Sequence, residues 1–285
     1  MKFEFIKKNE NEHCVEKMAE LFRITRSGYY SWKKRPVSKM KIRNNIITQQ
    51  IIKIHEESKF RYGYPRVYRV LKTRGVFCGI NTVAKIMKDN KLQAKAKKKY
   101  KATTDSIHNN PLYENILDRK FIVDKPDKVW VSDITFVYTK EGWLYLCIIM
   151  DLYSRKIIGY STSSRIDTQL LLKAFMMAYI TRKPKEEIIF HSDRGVQYTS
   201  NLFQIKLKKY GFKCSMSRKG NCWDNACAES FFHTIKVEEL NHKNFKTRED
   251  AHRSIFEYIE IFYNRKRIHS YLGYLSPEEF ESKAA

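Results

Sequence analysis

The stretch Val129-Trp-Val-Ser-Asp-Ile-Thr-Phe-Val-Tyr138 consists almost entirely of residues that favour β structure. A nearly continuous run of apolar and β-branched residues is typical of a central strand that is buried on both faces. Asp133 stands in the middle of this run, where a carboxylate is unfavourable unless another group pairs with it. The stretch therefore predicts a buried strand that carries one functional acid.

Further strands and helices follow this strand at short intervals. Residues 143–150 and 156–161 predict two more strands, which their short connections arrange as an antiparallel meander. The next elements are a helix at 168–181, a strand at 187–193, a helix from Ser200 to Tyr210, a strand at 212–217 and a last helix. This order predicts an α/β domain with a mixed sheet of about five strands and helices on both faces, in which the fourth strand lies beside the first.

Residues 220–236, Gly-Asn-Cys-Trp-Asp-Asn-Ala-Cys-Ala-Glu-Ser-Phe-Phe-His-Thr-Ile-Lys, predict the last helix. Asp224 or Asn225 can cap its start, and the absence of Gly and Pro lets it run to about Leu240. Glu229 then shares a face with Asn225, and Lys236 lies two turns further along the same side. A rigid helix would hold this carboxylate well, although a surface Glu on an amphipathic helix is the ordinary alternative.

Three acids form the candidate catalytic site: Asp133, Asp193 at the end of the fourth strand, and Glu229. Carboxylates about 4 Å apart repel by roughly 1 to 4 kcal/mol per pair, so such a cluster requires cations. Oxygen ligands with open positions suit Mg²⁺ or Mn²⁺, and two such ions support in-line phosphoryl transfer. Asp151, beside a hairpin turn, and Asp224, a candidate helix cap, are rivals for two of the positions.

Two helical units precede this domain. In the first, residues 15–22 and a second helix capped by Ser27 predict a helix-turn-helix, and an ordinary helical hairpin is an equal alternative. In the second, a helix at 42–58 is followed by one that starts at Pro65 and ends at Gly75, and by one that Asn81 or Thr82 caps. The side chains that suit phosphate contact in these units are Arg26, Tyr29, Lys33, Lys34 and Arg66.

A lysine-rich segment follows the second unit. Residues 91–101 contain six lysines and no acid, which predicts a solvated linker or a segment that tracks DNA phosphates through Lys97, Lys98 and Lys99. Near the C-terminus, Thr247 with Asp250 predicts a capped helix, and the stretch after it carries Arg265 and Arg267 as further candidate DNA contacts.

The charge of the chain indicates a polyanionic partner. Among 285 residues there are 55 Lys and Arg against 31 Asp and Glu, a formal net charge of +24. The basic residues are spread over the whole chain, which favours nucleic acid over a membrane surface. The longest apolar run, residues 143–150, is far shorter than a membrane span, and residues 1–10 are too charged for a signal peptide. The six cysteines form no C-x-x-C pair and predict reduced thiols in a cytoplasmic protein.

Several motifs together resemble the OrfB transposases of the insertion-sequence-3 family, which share an Asp-Asp-Glu catalytic core with retroviral integrases. Positions 193 and 229 leave 35 residues between them, as in the Asp-Asp-35-Glu pattern. The motifs are Trp130-Val-Ser-Asp-Ile-Thr135, His191-Ser-Asp-Arg-Gly-Val-Gln-Tyr198, Gly220-Asn-x-x-Asp-Asn-Ala-x-x-Glu-Ser-Phe-Phe232, Tyr263-Asn-x-x-Arg-x-His269 and Arg61-Tyr-Gly-Tyr-Pro-Arg66. The resemblance covers most of the chain.

The resemblance implies an RNase H-like domain in which Asp133, Asp193 and Glu229 are metal ligands and Lys236 contacts the end of the element's DNA. It also implies 3′-end cleavage at terminal inverted repeats, strand transfer through a circular intermediate, and a homo-multimer on the DNA. The family usually produces its active protein as a fusion to an upstream reading frame with a helix-turn-helix and a leucine zipper, so such a fusion or partner is expected. The expected location is the bacterial cytoplasm, in association with the nucleoid.

The expected domain organisation has five parts. They are a helix-turn-helix at 1–38, a second helical unit at 39–95, a basic linker at 96–124, the RNase H-like core at 125–240 and a helical basic extension at 241–285. Two other functions remain open from the sequence: an RNase H-like nuclease without strand transfer, and a DNA-binding regulator whose catalytic fold is idle.

Overall fold

The computed structural model describes residues 1–95, 112–218 and 221–284. Its N-terminal part is helical, as predicted, and also contains a first helix that the sequence did not indicate. The helices are α1 (Lys2–Asn9), α2 (Val15–Leu21), α3 (Arg26–Lys34), α4 (Lys39–Glu57), α5 (Tyr64–Thr73) and α6 (Ile80–Asp89). Ile6 of α1 packs with Met18 and Tyr29, so α1 completes the small core that α2 and α3 begin.

Two helix caps differ from the prediction. α3 is capped by Thr25, whose hydroxyl accepts a hydrogen bond from the backbone N–H of Gly28, and not by Ser27. α6 follows Gly79 and has no side-chain cap, so the prediction of a cap by Asn81 or Thr82 is wrong. In both cases the helix begins before the predicted cap residue.

A five-stranded mixed sheet forms the centre of the molecule and confirms the predicted topology. Its strands are β1 (Val129–Thr139), β2 (Gly142–Asp151), β3 (Ile157–Ser163), β4 (Ile188–Ser192) and β5 (Phe212–Met216). The order across the sheet is β3-β2-β1-β4-β5. β1, β2 and β3 form the antiparallel meander, whereas β4 runs parallel to both β1 and β5. The fourth strand therefore lies beside the first.

Helices cover both faces of this sheet. On one face, α7 (Thr168–Arg182) and α8 (Asn201–Lys209) bury Phe175 and Phe203 against Trp130 and Phe190. α7 lies very close to β3, because a Cβ added to Gly159 would be 2.3 Å from the carbonyl oxygen of Ala174. The other face is covered by the helix that carries Glu229.

On that second face, α9 (Ala226–Glu238) and α10 (Arg248–Phe256) pack against the sheet. Thr247 and Asp250 form the predicted capping box at the start of α10, and a π-helical segment, Glu257–Tyr263, continues it. Helices α4 and α5 contribute Ile51 and Leu71 to the same apolar cluster, so the second N-terminal unit shares its core with the sheet.

The C-terminal segment is tied to the edge strand β3. The Asn264 side chain accepts a hydrogen bond from the backbone N–H of Ile157 at 3.0 Å and donates one to the carbonyl of Ile157 at 2.9 Å. The chain then ends in α11 (Pro277–Ala284). Among the described residues, no helix is both long and apolar enough to cross a membrane.

Candidate active site

Asp133 lies in β1, and Asp193 directly follows the neighbouring strand β4 on the same side of the sheet. Val131 of β1 is paired with His191 of β4 in parallel register. The two aspartates each follow these partners by two residues, and side chains two apart in a strand point to the same face. Asp133 Oδ1 accepts the N–H of Ile134 at 2.8 Å, and Asp193 Oδ1 accepts the N–H of Gly195 at 2.9 Å in the turn that ends β4.

The start of α9 is anchored to β1 next to Asp133. The side-chain nitrogen of Asn225 donates to the carbonyl of Ser132 at 3.1 Å. Asn225 precedes the helix but its side chain makes no cap bond, so the predicted cap is replaced by this tie to the strand. α9 also ends at Glu238 and not at Leu240. Because Glu229 lies one turn after Asn225, the tie brings Glu229 to the two aspartates.

The charges of these groups act on one another. Burial and the neighbouring Asp193 raise the pKa of Asp133 well above its usual value, and Glu229 adds to the effect. Glu229 is exposed at the surface, and partial desolvation together with Asp193 raises its pKa. Burial lowers the pKa of Lys236, while Asp133 opposes this, and the Lys236 Nζ lies 5.2 Å from the centre of the Phe136 ring. The three acids and the lysine are therefore within electrostatic reach.

The donor set fits a hard divalent cation, since carboxylates that destabilise one another as anions are stabilised by a positive ion. Asn225 Oδ1 adds a buried oxygen that has no hydrogen-bond partner among the described residues. In the part of the chain that the structure describes, no three His, Cys, Asp or Glu side chains are close enough to hold one ion. To hold one ion together, the three carboxylates would therefore have to approach one another by side-chain movement.

The two rival acids have other roles. Asp224 accepts hydrogen bonds from the Arg218 side chain at 3.0 Å and from the Arg119 side chain at 2.8 Å, and its partner Arg218 lowers its pKa. Asp151 is buried, which raises its pKa to about 7, and it accepts a hydrogen bond from Arg182 at 3.1 Å. Both acids therefore hold loops in place by ion pairs.

A cluster of ion pairs that the sequence did not reveal lies at the other end of α9. Glu238 accepts hydrogen bonds from Arg267 Nη2 at 2.7 Å, from Arg66 Nη1 at 3.2 Å and from the Tyr258 hydroxyl at 2.8 Å. The next residue, Glu239, pairs with the buried Arg61. These contacts join the Arg61–Arg66 motif, α9 and the C-terminal segment, three parts of the chain far apart in sequence.

This ion-pair cluster shifts the pKa values of its acids. Burial alone would raise the pKa of Glu239, but hydrogen bonds from Lys243 and Arg61 hold it at about 2. For Glu238, hydrogen bonds from Arg267 likewise outweigh burial and lower the pKa. Both carboxylates are thus charged in the folded protein at neutral pH.

The cluster corrects one predicted DNA contact. Arg267 is buried and its guanidinium is directed at Glu238, so the prediction that it contacts DNA is wrong. Arg66 pairs with the same carboxylate, but 28% of its side chain is exposed, so its contact with DNA stays a prediction. Arg265 stays on the surface, with 64% of its side chain exposed and a 3.6 Å approach to Glu278.

In the first helical unit, Tyr29 is fully buried and cannot contact phosphate as predicted. The Lys33 amine forms an ion pair with the Glu10 carboxylate at 2.8 Å, which makes it less available for a phosphate contact. Arg26 is 61% exposed and lies 3.7 Å from Glu16, and Lys34 is exposed. Lys97, Lys98 and Lys99 lie outside the described residues.

Comparisons with known proteins place these features in a family. Integrase core domain families match residues 123–222 and residues 229–284, and an HTH-like domain family matches residues 42–100. The chain is 41% identical over 292 residues to the transposase InsF for insertion sequence IS3A of Escherichia coli (strain K12), with 99% of each chain covered. The chain belongs to the insertion-sequence-3 family of transposases. It is also 42% identical over 266 residues to an uncharacterized 31 kDa protein of insertion element IS600 of Shigella sonnei, covering 93% of this chain and 98% of the relative.

Alignment with solved structures found integrase and transposase catalytic domains. The HTLV-2 integrase catalytic core domain in complex with magnesium aligns over 55% of this chain and 97% of its own, with 17% identity and a TM-score of 0.42. The catalytic domain of the Mos1 mariner transposase aligns over 47% and 70%, with 14% identity and a TM-score of 0.41. As a member of the insertion-sequence-3 family, the chain has an integrase-like, RNase H-like core preceded by an HTH-like helical region.

Proposed function

We propose that Asp133, Asp193 and Glu229 are the catalytic acids of this transposase and that they hold two divalent ions, Mg²⁺ or Mn²⁺. The observation that carries the proposal is the position of Asp133 in β1 and of Asp193 directly after the parallel neighbour β4, with Glu229 on a helix that is tied to β1. When bound, such ions would activate an attacking oxygen and stabilise a leaving oxygen in phosphoryl transfer. The sheet and helix hold the acids on rigid elements, which favours a reproducible geometry.

The substrate is DNA at the terminal inverted repeats of an insertion sequence. The net charge of +24 favours a polyanion, and an HTH-like unit precedes the core. We propose that the enzyme cleaves a 3′ end there and transfers it, with a circular intermediate, as a homo-multimer in the bacterial cytoplasm at the nucleoid. A fusion to, or association with, the upstream-frame helix-turn-helix and leucine-zipper protein belongs to the same proposal.

Lys236 is the proposed contact to the phosphate backbone nearest the acids. It lies on α9 two turns from Glu229, and its amine is within the field of Asp133. A cation held beside the acids would position the scissile phosphate and offset its charge. Arg26, Lys33, Lys34, Arg66, Arg265 and the lysines at 97–99 remain proposed DNA contacts.

The decisive test compares Glu229→Gln with Glu187→Gln, an exposed acid just before β4, at the end of that strand opposite Asp193. Both proteins are incubated with Mg²⁺ and a labelled duplex that bears the element's ends. Glu229→Gln should abolish cleavage and joining while DNA affinity stays at the wild-type value, because affinity comes mainly from Lys and Arg contacts to phosphate. Glu187→Gln should retain both activities.

The products also separate the alternatives. Nicked and joined products support transposition, whereas nicking without joining supports a nuclease without strand transfer. Salt-sensitive binding without cleavage by the wild-type protein supports a DNA-binding regulator. Cleavage by Glu229→Gln at the wild-type rate would show that the site is assigned wrongly.

A further inference from the structure

A cleft opens beside the candidate active site, between the β1–β2 hairpin and the segment that follows α9. Its volume is about 440 Å³, and its lining includes Phe136, Tyr138, Trp143, Lys140, Lys236 and Lys246. This volume falls within the range of about 300 to 1,000 Å³ that ligand pockets occupy. We refer to it as the hairpin cleft. Its lining combines aromatic rings and lysines, with Lys236 shared between the cleft and the candidate site.

The aromatic side chains form a wall that remains open to solvent. Trp143 is the cross-strand partner of Tyr138, and their ring centres are 5.4 Å apart. Phe136 packs edge-on against the other side of the wall, 5.0 Å from the Trp143 ring. Tyr138 is 65% and Trp143 is 46% exposed. Exposed rings held in place by a neighbouring ring are suited to stacking with a planar group.

The charges of the cleft favour an anion. Lys140 and Lys246 are exposed and form no ion pair with any residue that the structure describes. Lys243, also in the lining, is paired with Glu239 and contributes less. A nucleotide combines a planar group that can stack with a negatively charged phosphate, and therefore matches this lining.

The cleft is continuous with the site through Lys236. The lysine amine lies 5.2 Å from the Phe136 ring centre at one side and within the field of Asp133 at the other. β1 extends well beyond its pairing with β4, which covers only Val129–Val131 among the described residues. The side chains of Asp133 and Tyr138, five residues apart on β1, point to opposite faces, so Lys236 is the residue that links the acids to the aromatic wall past this part of β1.

We propose that the hairpin cleft binds unpaired DNA, with bases stacked on Trp143 and Tyr138 and phosphates held by Lys140 and Lys246. The proposal rests on the proposed function in one respect: the unpaired strand comes from the frayed end of the duplex that is held at the three acids. The binding step itself requires no metal and no cleavage. Aromatic stacking combined with basic side chains is the usual way in which proteins hold single-stranded nucleic acid without sequence preference.

The test is DNA binding by the full chain in EDTA, measured by fluorescence anisotropy. Two labelled duplexes of the same sequence are compared, one blunt and one with about four unpaired nucleotides at its end; the wild-type protein should bind the forked duplex roughly 10-fold more tightly. The double variant Trp143→Ala with Tyr138→Ala should lose this preference and keep its affinity for the blunt duplex. Phe256→Ala, an equally exposed aromatic outside the cleft, should keep the preference.

The lysines are tested through the salt dependence of forked-duplex binding. Lys140→Gln with Lys246→Gln should reduce the slope of log affinity against log salt by roughly 1 to 2, about 0.7 to 0.9 for each lost phosphate contact. Lys173→Gln with Lys185→Gln removes the same charge from exposed lysines outside the cleft and should change the slope less.

Equal binding of blunt and forked duplexes by the wild-type protein would overturn the proposal. Retention of the preference by the aromatic double variant would also overturn it, as would a forked RNA end that binds more tightly than DNA. The proposed function fails separately: fork preference in EDTA without cleavage in Mg²⁺ keeps the cleft and removes the catalytic assignment. If the wild-type protein cleaves DNA but shows no preference for the forked duplex, the catalytic assignment stands and the proposal that the cleft binds unpaired DNA fails.

Discussion

Substitution of Glu238 by Gln should remove a large part of the stability that joins the N-terminal helical region to α9. The Glu238 side chain is 8% exposed, and its partner Arg267 is 6% exposed. Arg267 binds it through Nε at 3.0 Å and Nη2 at 2.7 Å, and Tyr258 donates a third bond at 2.8 Å. The substitution removes the negative charge and places an amide group against a guanidinium that water cannot reach.

The expected loss follows from the burial of both partners. Removal of one partner of a buried ion pair destabilises proteins by about 3 to 5 kcal/mol, because the other charge remains buried without compensation. The partly exposed Arg66 can turn towards water, so most of the loss comes from Arg267. We therefore expect Glu238→Gln to lower the free energy of unfolding by about 3 to 5 kcal/mol.

The assay is urea unfolding followed by circular dichroism, with Glu257→Gln, an exposed acid in the π-helical segment, as the matched control. The control should change stability by no more than about 0.5 kcal/mol. A double variant, Glu238→Leu with Arg267→Leu, removes both charges and should be more stable than Glu238→Gln. A loss below about 1 kcal/mol for Glu238→Gln would refute the reasoning, since that is the range of exposed ion pairs.

Three further predictions concern packing, anchoring and pH. Gly159→Ala should lower the free energy of unfolding by about 1 to 3 kcal/mol or more, because its Cβ would collide with the Ala174 carbonyl, and thermal melting measures this. Asn225→Ala should cost about 1 kcal/mol in urea unfolding and reduce single-turnover cleavage while DNA affinity is kept, because it frees α9 from Ser132. The pKa of Glu239 is lowered from 4.5 to about 2 in the folded protein, which corresponds to about 3 kcal/mol of the free energy of unfolding. This stabilisation is complete above pH 4.5 and is lost as the pH falls towards 2. Stability of Glu239→Gln should therefore fall less steeply between these pH values than that of the wild type, and an equal fall would contradict this.

Most of the sheet could be predicted from the sequence because its strands are marked by local composition. β1 and β2 are continuous apolar runs, and a single charged residue in such a run, Asp133, is conspicuous. The neighbouring positions of β1 and β4 followed from the order of the elements. Helix starts could not be predicted to the residue, since Thr25 and Ser27 are both capping residue types and lie two positions apart.

The ion-pair cluster could not be predicted, because it depends on which distant residues meet. Arg61, Glu238 and Arg267 belong to three separate segments, and nothing local in any of them identifies its partner. The basic stretch around Arg267 predicts a DNA contact from composition alone. In the structure, Arg267 is buried and forms an ion pair with Glu238. Tyr29 could not be placed from the sequence either. Its position in the second helix of a predicted helix-turn-helix suggests a surface residue that contacts DNA, whereas in the structure it packs in a small core with Ile6 and Met18.

The most direct test of the central claim is a crystal structure of the protein soaked in MnCl₂, with the ions located by anomalous scattering. Asp133, Asp193 and Glu229 should coordinate the ions directly through carboxylate oxygens, with two sites about 3.5 to 4 Å apart when DNA is bound. The Glu229→Gln crystal should lose at least one of these sites. Ions bound instead at Asp151 or Asp224, or three carboxylates that remain apart in saturating Mn²⁺, would contradict the account.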